Sequence, residues 1–207
     1  MSEIKLTKNE LRSQQVRLGQ LEKYLPTLQL KKAMLQSEVN DVRVEIQQLE
    51  DAFHMKRLDT SSSSGLYSQR IGIDFKQAAA VDHIDKKYEN IAGVDIPIFQ
   101  DVVFQPFEYS LFGTPAWLDI AVEELRELTR ARARVLVAEE KKEALEKELR
   151  EVSIRVNLFE KNLIPRAKRN IKRIRVFLGD QELAAVGQAK VAKGKIEMRK
   201  KKKRDES

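Results

Sequence analysis

Side chains that do chemistry are scarce in this chain. Its 207 residues include two histidines and no cysteine, which excludes a thiolate metal site, a disulfide framework and a cysteine nucleophile. His83 lies between Asp82 and Asp85, residue types that suit a divalent ion, but no further His or Cys stands at ligand spacing. The trio therefore reads as a polar strand or turn, and His54 has no such neighbours. Glu139, Glu140, Glu143, Glu146 and Glu148 supply carboxylates, the raw material of acid–base catalysis. They alternate with Lys141, Lys142 and Lys147, the pattern of a solvated helix face. No Gly-x-x-x-x-Gly-Lys-Ser/Thr loop is present to cradle a nucleotide triphosphate. No catalytic residue, metal or cofactor is assigned.

The net charge of +7 is concentrated at one end. Residues 160–207 carry 16 Lys/Arg against 6 Asp/Glu, and the rest of the chain is slightly acidic. Arg199 to Arg204 is an unbroken basic run, the composition of a nucleic-acid tail. The upstream charges Arg166, Lys168, Arg169, Lys172, Arg173 and Arg175 alternate with apolar residues at helical spacing, without aromatics for bases to stack on. A basic helix end, solvated or docked into a protein partner, is the better reading, and nucleic acid is not expected as a partner. Charged residues are 34% of the chain and aromatics 6%, a balance that favours long helices over a thick globular core. Neither a signal peptide nor a run of ~18 apolar residues appears. The expectation is a soluble protein of a reducing cytoplasm.

The elements that position these charges are two heptad-patterned segments. Leu11, Leu18, Leu21, Leu25, Leu28, Leu35, Val39, Val42, Ile46, Leu49 and Phe53 follow three- and four-residue steps broken by Gln14 and Lys32. Leu128, Ala131, Val135, Ala138, Leu145, Leu149, Val152, Val156, Phe159 and Leu163 repeat the pattern, with Lys142 as the polar exception. Such stripes form a coiled coil, and each is the other's nearest partner. The expected fold is all-α dominated: a long antiparallel two-helix coiled coil with a small β-hairpin in its middle segment.

Thr7 and Glu10 have the spacing of a capping box, which starts the first helix. Thr60 to Gly65 competes for backbone hydrogen bonds and ends it after about Leu58. Between Tyr88 and Phe104, Val94, Ile96 and Ile98 alternate with Asp95 and Pro97, and Ala92-Gly93 supplies a turn. Pro97 confines its strand to an edge. Pro106, Gly113 and Pro115 mark a loop, and Trp117 is a hydrophobic plug where the second helix begins. The divisions expected are 1–59, N-terminal helix; 60–116, a tip holding the hairpin; 117–198, C-terminal helix; and 199–207, basic tail. Pro26 removes a helical hydrogen bond at ~3 kcal/mol and predicts a bend or a break between two helices.

Folding the chain at its middle sets Phe53 opposite Ala121 and Leu11 opposite Leu163. Beyond Leu163 the stripe continues through Ala167, Ile171, Ile174 and Leu178 with a stutter at Pro165. In this register that stretch overhangs, apolar on one face and ringed by Arg166, Arg169, Lys172 and Arg173, with no partner in its own chain.

Leu6 to Arg12 (Leu-Thr-Lys-Asn-Glu-Leu-Arg) and Tyr24 to Ala33 (Tyr-Leu-Pro-Thr-Leu-Gln-Leu-Lys-Lys-Ala) resemble the N-terminal helix of the D subunit of V/A-type rotary ATPases. Arg155 to Lys161 (Arg-Val-Asn-Leu-Phe-Glu-Lys), Leu163-Ile164-Pro165 and Ile171-Lys172-Arg173-Ile174 are similar to its C-terminal pattern. The resemblance implies a non-catalytic central rotor shaft on the cytoplasmic face of a membrane. Its implied partners are a ring of A and B subunits, the small F subunit of the stalk and a membrane-side coupling subunit of C/d type. Arg166, Arg169, Ile171, Lys172, Arg173, Ile174 and Leu178 would then face the ring, and the β-containing tip the coupling subunit. A prefoldin-like chaperone and a nucleic-acid-binding coiled coil are the alternative classes.

Overall fold

The computed structural model describes residues 4–63, 75–109, 114–115 and 117–205. Gly65 and Gly113, expected at a helix stop and in a loop, lie outside the described residues. Helix α1 spans Lys8–Ser63, a single turn α2 Phe75–Ala78, strands β1 and β2 Val81–Ile91 and Val94–Phe104, helix α3 Leu118–Leu158 and helix α4 Ile164–Asp205. A π-turn, Phe159–Leu163, joins α3 to α4. The chain divides into two compact units, Leu30–Ser153 and Met1–Gln29 with Ile154–Ser207.

The caps follow from local chemistry. Thr7 Oγ1 accepts the Glu10 backbone N–H at 3.3 Å, while the Glu10 carboxylate accepts from Gln14. At its other end α1 runs to Ser63, past the expected stop near Leu58. The Thr60 and Ser62 hydroxyls donate back to the carbonyls of Lys56 and Asp59, so the residues expected to break the helix extend it. Pro26 sits inside α1 without dividing it.

In the Leu30–Ser153 unit, Lys31, Arg43, Glu45 and Lys56 of α1 pair in turn with Glu148, Glu146, Lys141 and Glu127 of α3, at 2.6–3.0 Å. Rising numbers on one helix against falling numbers on the other make the pair antiparallel. Leu35, Val39, Val42, Ala131, Val135, Ala138, Leu145 and Val152 are buried between them. Each large apolar side chain contributes about 1.5–3 kcal/mol, against about 0–1 kcal/mol for an exposed ion pair, so the seam carries this unit.

The hairpin is two-stranded and antiparallel, with Tyr88 opposite Pro97 and bulges at Val81/His83 and Asp85/Lys86. Ala92 and Gly93 both have positive φ, 52° and 80°, the requirement of the two-residue turns that match strand twist. Asn90 fastens the turn by accepting the Gly93 N–H and donating to Asp95.

The hairpin is docked on a helix along its length. It lies along α3: Phe104 packs under Arg126 and Arg130, each at 5.2 Å, and Phe99 under Arg134 at 5.4 Å. Lys86 reaches Glu140, Arg130 reaches Asp101, and the turn comes to Lys31 of α1. A lone two-stranded hairpin is marginal in water, and β2 carries the apolar Ile96 and Val102, both buried. Ala133 and Val137, which lie off the α1 seam, are also buried, and Val137 shares a cleft with Pro97, Ile98 and Phe99. Trp117, Phe107 and Tyr109 pack on Ala78, Leu118 and Val122 where α3 begins, and the Tyr109 hydroxyl donates to Asp119.

In the second unit Gln29, Glu22, Gln14 and Lys8 of α1 meet Glu160, Lys168, Asn170 and Glu182 in order, again antiparallel. Ile164, Ala167, Ile171 and Ile174 are buried there. Leu11, Leu18, Leu21, Leu25 and Leu28 of α1 are half-buried.

Both register expectations fail in the same direction. Stepping three residues from the Lys56–Glu127 pair sets Phe53 beside Arg130, not Ala121. The same step from Lys8–Glu182 sets Leu11 beside Gly179, not Leu163. The chain between the helices, with α2 and a hairpin laid on α3, takes up more of α3 than a fold at the middle of the sequence allows.

Candidate functional site

The register moves the uncovered helix toward the C-terminus. Ile171 is 7% exposed and Ile174 0%, so neither is free to face an outside partner, and Leu178 is half-buried. They pack against the beginning of α1, where Leu18 and Ile171 line one cleft. Of the expected outward residues Arg166, Arg169, Lys172 and Arg173 are exposed. Beyond the Lys8–Glu182 pair a run of apolar side chains is exposed: Leu183 at 73%, Val186 at 67%, Val191 at 60%, Ile196 at 54% and Met198 at 75%. With Lys190, Lys193, Lys195 and Arg199 they make a helix both apolar and basic. From Leu183 to Asp205 it extends for ~35 Å at 1.5 Å per residue. Among the described residues none packs over these five side chains.

Among the described residues no group of His, Cys, Asp and Glu converges to hold a metal ion. Asp82 and Asp85 instead flank the His83 ring at 2.8 and 3.2 Å, and the hydrogen bond to Asp82, more than any other influence, raises the His83 pKa. Glu140, Glu146 and Glu148 are taken by Lys86, Arg43 and Lys31, so the carboxylate-rich stretch ties elements together. No helix among the described residues is long and apolar enough to cross a membrane.

Sequence reasoning missed the group that docks the hairpin, Arg126, Arg130 and Arg134 against Phe99 and Phe104. The four-residue spacing of the arginines was a legible signal of one helix face. Arg130 also binds Glu123 and Glu127 at 3.0 and 2.7 Å, and the Glu127 bond, more than any other influence, raises its pKa.

The chain matches the family model of the ATP synthase D subunit over residues 10–194. It is 44% identical over 200 residues to the V-type ATP synthase D subunit of Chlamydia caviae, covering 96% of each chain. It belongs to the V/A-type D-subunit family. The protein of the same name from Chlamydia pneumoniae is 42% identical, over 96% of this chain and 95% of its own. That of Chlamydia trachomatis serovar L2 is 42% identical, over 96% and 98%. These matches run through both heptad segments and the hairpin.

Proposed function

We propose that this D-type subunit is the central rotor shaft of a V/A-type ATPase or ATP synthase, turning within a ring of A and B subunits and coupling ATP hydrolysis or synthesis to ion translocation. The observation that carries the reading is the apolar, basic helix Leu183–Met198, which has the surface a shaft end offers to a protein sleeve. Arg166, Arg169, Lys172 and Arg173 extend its positive face. Because a turning shaft meets successive partners, long-range attraction to acidic surfaces serves it better than any fixed ion pair. The chain itself is non-catalytic and binds no cofactor. Unequal faces of the shaft stabilise different conformations of the surrounding catalytic subunits at different angles, and that difference in binding energy links rotation to hydrolysis.

The membrane-side coupling subunit of C/d type meets the exposed Met55, Leu58 and Ile120, and the small F subunit binds along the side. The complex sits peripherally on the cytoplasmic face of the membrane. Since the chain has no cysteine, Val186→Cys provides a single attachment point in it. A disulfide from that position to a cysteine placed in the ring should stop ATP turnover, and reduction should restore it. Undiminished turnover with the cross-link complete would refute rotation.

A further inference from the structure

A uniform helix does not account for the packing of α3 and α4. Val152 and Val156 are buried, and a heptad continued from them would bury 159, 163, 166, 170 and 173. The buried residues are instead Ile164, Ala167, Ile171 and Ile174, each one place later. The displacement arises in the π-turn Phe159–Leu163, where the Ile164 N–H reaches back five residues to the Phe159 carbonyl. A π-turn holds one residue more than the α-helix it interrupts. That residue adds nothing to the seam, because removing it would bring Ile164, Ala167, Ile171 and Ile174 into the unbroken heptad.

A second irregularity sits opposite. Glu22 and Gln29 of α1 bond across to Lys168 and Glu160, so the exposed Pro26, between them in sequence, lies at the level of the stretch holding the π-turn and Pro165. Pro26 and Pro165 each lack the N–H that a helix interior needs and crowd a carbonyl of the preceding turn. Both strands of the coil thus lose backbone hydrogen bonds at one level. The seam residues beside that level, Leu25, Leu28, Phe159 and Leu163, are only half-buried.

We propose that Pro26, the Phe159–Leu163 π-turn and Pro165 form a built-in soft joint, at which the backbone of both helices opens locally while the flanking seams stay closed. Its use in transmitting torque rests on the shaft reading; its existence does not. The test is amide exchange on the full chain. Amides of 159–164 should exchange at least about tenfold faster than those of 152–156. Deleting Asn162 together with Pro165→Ala should slow them to the flanking rate without lowering the melting temperature. Equal rates in the unaltered chain would overturn the proposal. So would a lower melting temperature in the shortened chain, because it would show the extra residue to be needed for packing. Pro26→Ala alone should slow exchange around residues 24–30 and leaves the π-turn in place, so a shortened chain that fails to fold does not decide the matter alone. Assembly with the nucleotide-binding ring is scored separately: failure there refutes the shaft and leaves the joint, whereas equal exchange rates refute the joint and leave the shaft.

Discussion

The two units are built from the same two heptad stripes and have different means of holding them. In Leu30–Ser153 the helix pair is braced by a third element, with three arginines of α3 stacked on two phenylalanines of β2 and a second buried face at Ala133 and Val137. In Met1–Gln29 with Ile154–Ser207 there is no such brace among the described residues. Each helix carries a proline, a π-turn interrupts one of them, and α4 continues past the Lys8–Glu182 pair with exposed apolar residues. The same amphipathic pattern thus serves closure in one unit and availability in the other, and what decides is whether another element lies on the helix.

A core truncation in the braced unit should do most damage. Leu145 is 0% exposed, and Leu145→Ala should cost about 2–5 kcal/mol through lost burial and the cavity left, read in urea unfolding. Leu183→Ala, at an exposed position, should change stability by less than about 0.5 kcal/mol. Equal costs would erase the distinction between the units. Next, Phe104→Ala removes the ring under both Arg126 and Arg130. It should cost about 2 kcal/mol and speed amide exchange through β1 and β2 while α4 is unaffected. Uniform acceleration across the chain would mean that the hairpin is integral to the whole fold and not a local brace.

Titration probes the brace more gently. The Lys56 ammonium, and after it Arg130, holds the Glu127 carboxyl below its ordinary pKa. The stability this adds is present above the unfolded carboxyl's pKa and is lost as pH falls through the depressed folded value. His83 runs the other way: its pKa is raised, so its contribution is present below the unfolded histidine's pKa and is lost as pH rises through the elevated one. Glu127→Gln should flatten the acid limb of a melting-temperature profile and His83→Gln the limb above neutrality, each by a small amount. At the turn the change is slighter still. Ala92 adopts a left-handed conformation at φ 52°, which Asn tolerates better, and Ala92→Asn should stabilise the hairpin by about 0.5–1 kcal/mol, read as slower amide exchange in β1 and β2.

Which parts were legible in the sequence follows from the range of the forces. The helix start at Thr7, the hairpin turn at Ala92-Gly93 and the apolar stripes are set by neighbours within a few residues, and each was readable. The end of α1 was not, because the Thr60 and Ser62 hydroxyls had two available partners and took the helical carbonyls. Register was misjudged because it depends on how much of α3 the intervening chain covers, which periodicity does not encode. That error placed Ile171 and Ile174 on an open surface when α1 covers them. The stutter at Pro165 was visible as spacing, but spacing cannot say whether the backbone unwinds over several turns or absorbs one residue in a π-turn.

If the chain is a shaft, the helix from Leu183 to Met198 is the surface that works inside the ring. Leu183 and Val186 changed together to Ser, with recovery of the nucleotide-binding ring measured on the full chain, isolate that surface from the seam. Recovery should fall at least about tenfold, with the helical content of the isolated chain unchanged. Ring recovery and coupled ATP turnover equal to those of the unaltered chain would show that the exposed helix end is not where the shaft meets its sleeve.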